Sequence, residues 1–73
     1  MTAYQSVITS NTETPEVGEF IDIPIWNATG CVMVIEPSMS YGFEFDVLLQ
    51  ERPDAPSNQW RLYRLNRDQF YVL

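Results

Sequence analysis

Apolar and polar side chains alternate along most of the chain after residue 17, and this alternation predicts short β-strands. Ile21, Ile23 and Ile25 fall on one face by the two-residue period of a strand. Pro24 cannot donate to a ladder, so this strand should lie at an edge or carry a bulge. We predict five strands, at residues 20–26, 31–35, 43–50, 60–64 and 70–73.

Residues 43–50 show the clearest alternation. One face of this strand would carry Phe43, Phe45, Val47 and Leu49. In residues 60–64, Trp60 and Leu62 share a face by the same period. Ile21, Phe45 and Leu62 are therefore expected to point into a common core. Cys31, in a strand that is apolar at nearly every position, is expected to be buried there.

The segments between the strands are short and contain turn residues. Asn27 to Gly30 predicts a turn in which Gly30 adopts a positive φ, and residues 65–69 predict a single helical turn. The sequence shows no longer helical period. The predicted fold is therefore all-β, a small five-stranded closed barrel at residues 17–73.

Residues 1–16 form a separate part of the pattern, because they are rich in Ser and Thr and have few apolar side chains. We predict an extended N-terminal arm that packs on a neighbouring subunit. Tyr4, Val7 and Ile8 are its candidate anchors, and backbone pairing with a sheet edge would provide affinity.

Composition restricts the chemistry available to the 73 residues. The chain has no His and no Lys and only one Cys. Histidine-dependent catalysis, a Schiff base, a Walker A loop, an intrachain disulfide and a Cys-ligated zinc site are therefore all excluded within one chain. We expect a protein that is not an enzyme and has no cofactor.

No apolar run is long enough to span a bilayer, and residues 1–14 do not resemble a signal peptide. The cytoplasm, or a virion assembled there, is therefore the expected location.

Charge is unevenly distributed about a net value of −6. Residues 1–51 hold eight carboxylates and no basic side chain, whereas residues 52–73 hold four arginines and two aspartates. The net charge makes direct nucleic-acid binding improbable. Glu44 and Asp46 belong to an acidic face that could bind a basic partner or simply be solvated. No metal is expected there, because strand alternation spreads the oxygens that calcium would need.

Large aromatic and arginine side chains are the remaining candidates for binding. At this chain length we expect most of the aromatics to build the core, with Tyr63 and Tyr71 as the exposed ones. The alternative is a groove for an extended peptide or a methylated cation. Arg61 and Arg64 are candidate contacts to another copy, because interfaces are enriched in Arg and Tyr. The aromatics concerned are Trp26, Tyr41, Trp60, Tyr63 and Tyr71.

The succession of turns and strands resembles the SH3-like and KOW-like small barrels over residues 17–73. The similarity lies in Gly18-Glu19 before the first strand, Gly30 before the second, and a single helical turn before the last. This resemblance implies a small barrel that binds peptides, proteins or nucleic acids. It also permits a bacteriophage origin. The turn at residues 27–30 is neither basic nor Gly-rich, unlike that of nucleic-acid-binding KOW domains.

Three functions are consistent with these observations. The first is a structural or interaction protein whose arm packs on a neighbouring subunit, such as an accessory or connector component of a phage virion. The second is an acidic inhibitor that imitates a nucleic acid backbone and binds a host nuclease. The third is a KOW-type RNA- or ribosome-associated barrel acting through Arg61, Arg64 and Arg67.

Overall fold

The computed structural model of the protein describes residues 14–73. The predicted anchors Tyr4, Val7 and Ile8 lie outside the described residues, as does most of the predicted arm. Within residues 14–73 the protein is all-β, with one five-stranded antiparallel sheet and no α-helix. The strands are β1 (Phe20–Ile23), β2 (Ala28–Pro37), β3 (Phe45–Gln50), β4 (Arg61–Leu65) and β5 (Tyr71–Val72).

The strand order is β4-β3-β2-β1-β5, so β4 and β5 end the sheet. Successive hairpins connect β1 to β4, and the chain then returns to place β5 beside β1. The two terminal strands do not pair with each other within the described part of the chain. The predicted closed barrel is therefore wrong, and the sheet is open along one edge of β4.

The connection between β1 and β2 differs from the predicted long strand. Residues Pro24–Trp26 form a 3-10 turn that ends at Asn27, where φ is 53°. Proline fixes φ and removes a ladder donor, which ends the strand at Ile23. Ile25 therefore leaves the face of Ile21 and Ile23 and is exposed, contrary to prediction.

Gly30 lies within β2 and does not provide the positive φ predicted for it. Its role is close packing, because an added Cβ would lie 2.4 Å from the carbonyl oxygen of Gln50. No real side chain tolerates that separation, so β2 and β3 can approach at this point only with glycine.

One face of the sheet forms the hydrophobic core. The predicted inward positions Ile21, Ile23 and Phe45 are buried there. Phe70 lies just before β5 and meets Phe45 edge-to-face, with ring centroids 6.3 Å apart. This aromatic contact holds the segment at Phe70 against the core-facing side of β3. The other buried core residues are Ala28, Val32, Val47, Leu49 and Leu65.

The facing of β4 is the reverse of the prediction. Tyr63 pairs with Val47, and Leu65 pairs with Phe45, so these odd-numbered residues lie on the core side. Leu62 lies opposite Leu48 on the other face and is 49% exposed. Both faces of residues 60–65 carry apolar side chains, so alternation alone could not decide between the two registers.

The polar loop between β3 and β4 is anchored by its own side chains. Trp60 donates from its indole nitrogen to the Ala55 carbonyl at 3.0 Å, and Gln50 donates from its side-chain amide to the same oxygen at 2.9 Å. The predicted helical turn is confirmed as the 3-10 turn Arg67–Gln69. No helix among residues 14–73 is long and apolar enough to cross a membrane.

Candidate functional site

An apolar groove of about 580 Å³ runs along the open edge of β4. The β1–β2 turn forms one wall, β4 forms the other, and parts of the loops beside β3 and β5 close its ends. Because four successive β4 residues line it, the groove follows the strand edge instead of lying on one face of the sheet. Its lining residues are Ile25, Trp26, Phe43, Arg61, Leu62, Tyr63, Arg64 and Gln69.

Four large apolar side chains in this groove are turned toward solvent. Ile25 is 67% exposed and Trp26 60%, while Leu62 and Phe43 are exposed by 49% and 41%. Single exposed apolar residues are common on protein surfaces, but four around one concavity are characteristic of a binding site. We define the groove patch as Ile25, Trp26, Phe43 and Leu62.

The turn Pro24–Trp26 holds one wall of the groove against β4. The rings of Trp26 and Tyr63 have centroids 6.5 Å apart and are inclined at 47°. Tyr63 is itself fixed, because its hydroxyl donates to Glu51 Oε2. Burial of the ring, and then the hydrogen bond to Glu51, raise the pKa of Tyr63 above its ordinary value. The phenol is therefore neutral at physiological pH.

The backbone edge of β4 is the second component of the site. Its inner side pairs with β3 throughout residues 61–65. No strand of residues 14–73 lies on its outer side. An edge of this kind presents peptide N–H and C=O groups that can pair with a further strand.

Three of the predicted binding residues line the groove, namely Arg61, Tyr63 and Arg64. Tyr71 lies in an adjoining cleft of about 240 Å³, which shares Ile25 and Gln69 with the groove. The structure therefore places the predicted basic and aromatic side chains of β4 together and puts Tyr71 at their border.

The predicted acidic residues are not among the lining residues of the groove, and each contacts an arginine. Glu44 Oε2 accepts from Arg67 Nε at 3.0 Å, and its other oxygen accepts from the Arg67 backbone N–H at 2.8 Å. These bonds, the backbone one first, lower the pKa of Glu44 below its ordinary value despite some desolvation. Asp46 Oδ1 lies 3.4 Å from Arg64 Nε, within ion-pair range but without a hydrogen bond.

The aromatic side chains are distributed differently from the prediction. None of the five is fully buried, and the core aromatics are instead Phe45 and Phe70. Tyr63 and Tyr71, expected to be the exposed ones, are half-buried, whereas Trp26 and Tyr41 are exposed. Cys31 is also only partly buried.

Three of the four groove-patch residues are exposed although the sequence predicts them to be buried. Alternation predicts an inward face for each of Ile25, Phe43 and Leu62. The signal that could have identified Ile25 is Pro24, whose missing N–H makes a continuing strand unfavourable. For Phe43 the signal is Gly42, a turn residue with a φ of 90°, because β3 begins only at Phe45.

Residues 14–73 contain no group of three or more His, Cys, Asp or Glu side chains that could hold a metal ion. The chemistry of the groove is instead hydrophobic contact combined with backbone hydrogen bonding. Comparisons with protein-family models, with curated proteins and with solved structures each found no match to this chain. The fold and the groove are therefore the basis for assigning a function.

Proposed function

We propose that this chain is a non-enzymatic interaction protein that binds an extended protein segment along β4. The observation that carries this proposal is the coincidence of an open strand edge with the groove patch. Added strands obtain affinity from backbone hydrogen bonds and specificity from side-chain pockets, and this edge offers both.

The size and chemistry of the groove favour a short, uncharged partner segment. β4 has five residues, which matches a strand of similar length on the partner. Arg61 and Arg64 flank the apolar lining, so a basic segment would be repelled. Trp26 is the side chain most suited to act as an anchor, because hot spots are enriched in Trp, and Leu62 adds apolar contact beside it.

A component of a virus particle assembled in the cytoplasm is the concrete form of this proposal. Subunits of such assemblies bind one another repeatedly, and a strand edge with an extended arm supplies a compact way of doing so. The pairing of Glu44 and Asp46 with arginines weakens the case for an inhibitor that imitates a nucleic acid backbone, which would need unpaired carboxylates.

The proposed function can be tested with random peptides. A library of displayed peptides is selected against immobilised protein lacking residues 2–12, and the selected peptides are titrated into the isotope-labelled protein. We expect uncharged, β-prone peptides whose binding shifts the amide resonances of residues 61–65 and of Trp26. Leu62→Asp should weaken their binding by at least about tenfold, the effect of losing a hot spot.

Met39→Asp is the matched control for this experiment, because Met39 is 96% exposed and lies outside the groove. It should leave peptide affinity unchanged. Peptides that shift resonances elsewhere, or that bind the Leu62→Asp protein equally well, would contradict the proposed function.

A further inference from the structure

We propose that the occupant of the groove is residues 2–12 of a second copy of this chain, so that two copies exchange arms. This inference rests on the proposed function and names the partner. Each copy has one arm and one open β4 edge, so reciprocal exchange about a two-fold axis uses both sites of both copies.

The residues of the arm suit the groove in length and in side chains. Tyr4 to Ile8 is a five-residue segment, equal to the length of β4. Tyr, Val and Ile all favour strands. In an added strand, Tyr4 and Ile8 would share one face and Val7 would lie on the other.

The charge of the arm suits the groove as well. Residues 2–12 contain no acidic or basic side chain in a chain where ten of the 73 residues are acidic. A neutral segment can lie between Arg61 and Arg64 without repulsion and without burying a carboxylate. Assembly through these contacts should therefore depend only weakly on salt concentration.

The arm of the same chain is the competing occupant of the groove. The arm precedes β1, which lies three strand spacings from β4, about 14 Å along the sheet. The six steps from Ile8 to Thr14 span at most about 20 Å, so chain length permits either arrangement. An arm bound within its own chain would leave the protein monomeric at every concentration, whereas exchanged arms give a dimer.

The first test measures self-association of the full chain by sedimentation velocity over a range of concentrations. We expect a dimer for the natural protein and for the control Met39→Asp. Ile8→Asp in the arm and Leu62→Asp in the groove should each raise the dimer dissociation constant by at least about tenfold. Circular dichroism should show that both variants keep the fold, because Leu62 is half-exposed and Ile8 precedes the folded domain.

The second test mixes the two defective variants. The Ile8→Asp chain keeps an intact groove and the Leu62→Asp chain keeps an intact arm, so together they can form one complete contact. We expect a heterodimer in the mixture that neither variant forms alone at the same concentration. Because each variant must be folded to take part, this result also excludes misfolding as the cause of the single defects.

Three outcomes would overturn this inference. A chain that is monomeric at all concentrations would show that the arm does not bind a second copy. Dimers that persist after deletion of residues 2–12 but weaken in Leu62→Asp would show direct pairing of two β4 edges. Absence of the heterodimer would exclude arm exchange. The peptide selection is independent of all three, so the proposed function could survive failure of this inference.

Discussion

The two strands that end the sheet differ in how their edges are protected. β5 has two residues, and it is held in place by Phe70, which directly precedes it and packs in the core. β4 has five residues, and its outer edge lies beside the groove patch. Short edge strands are one way in which proteins avoid unwanted pairing. β5 therefore offers little edge for pairing, whereas β4 presents five residues of edge beside apolar side chains.

The charged side chains of the edge strand β4 are Arg61 and Arg64. Charged residues on an edge strand discourage indiscriminate pairing. Arg64 lies opposite Asp46 in the register of β3 and β4 and forms an ion pair with it. Under the proposed function, this charge disfavours a basic segment and leaves the edge available to a neutral strand.

The largest effect should come from removing the anchor of β5. Phe70→Ala deletes a fully buried ring that contacts Phe45, and it should lower the free energy of unfolding by about 3–5 kcal/mol. For a domain of this size that loss approaches the whole stability. Chemical denaturation measures it. Phe43→Ala, in the groove, is the control and should cost less than about 1 kcal/mol, so similar losses at both sites would contradict the comparison.

A second substitution tests how closely β2 and β3 pack at the centre of the sheet. Gly30→Ala places a Cβ against the Gln50 backbone and should force β2 and β3 apart, at a cost of about 1–3 kcal/mol. Thermal unfolding followed by circular dichroism would measure the cost. An unchanged melting temperature would show that the two strands are not as close as described.

Aspartate substitutions on the two edge strands should have opposite consequences. Val72→Asp buries part of a charge against the core and should cost about 1–3 kcal/mol of stability. Leu62→Asp should cost less than about 0.5 kcal/mol of stability, because Leu62 is half-exposed, while weakening partner binding by at least about tenfold. Unfolding and binding are measured on the same samples. Equal stability losses would remove the distinction between a structural edge and a binding edge.

The smallest expected effect concerns pH. The folded protein holds the pKa of Glu44 below the ordinary value of 4.5, so this carboxylate stabilises the fold above that pH. The contribution is lost as pH falls from about 4.5 through the lower pKa of the folded state. Glu44→Gln should therefore reduce the acid sensitivity of unfolding slightly. Acid unfolding followed by circular dichroism measures this, and a profile of Glu44→Gln identical to that of the natural protein would refute the assignment.

The sequence was sufficient to predict the β class, the position of β3 and the inward facing of Ile21, Ile23 and Phe45. These features depend on local alternation next to turn residues, which one strand can encode by itself. The exposure of Leu62 could not be predicted, because residues 60–65 present apolar side chains on both faces and only pairing with β3 selects one.

The local sequence pattern also could not predict whether the sheet closes or that the groove forms. Whether β4 and β5 pair depends on how far the whole sheet curls, which no single strand determines. Trp26 and Tyr63 are 37 positions apart in sequence and meet only because the β1–β2 turn folds over β4. The two predicted arginines of the groove were found because β4 carries them as neighbours on one short strand.

Amide hydrogen exchange at the two sheet edges measures whether residues 2–12 cover the β4 edge. Exchange rates are compared between the full chain and the protein lacking residues 2–12, residue by residue. The account predicts that the outward-facing amides of β4 exchange slowly in the full chain and rapidly after the deletion, while those of β5 stay unchanged. Equal exchange of the β4 amides in both proteins would contradict it.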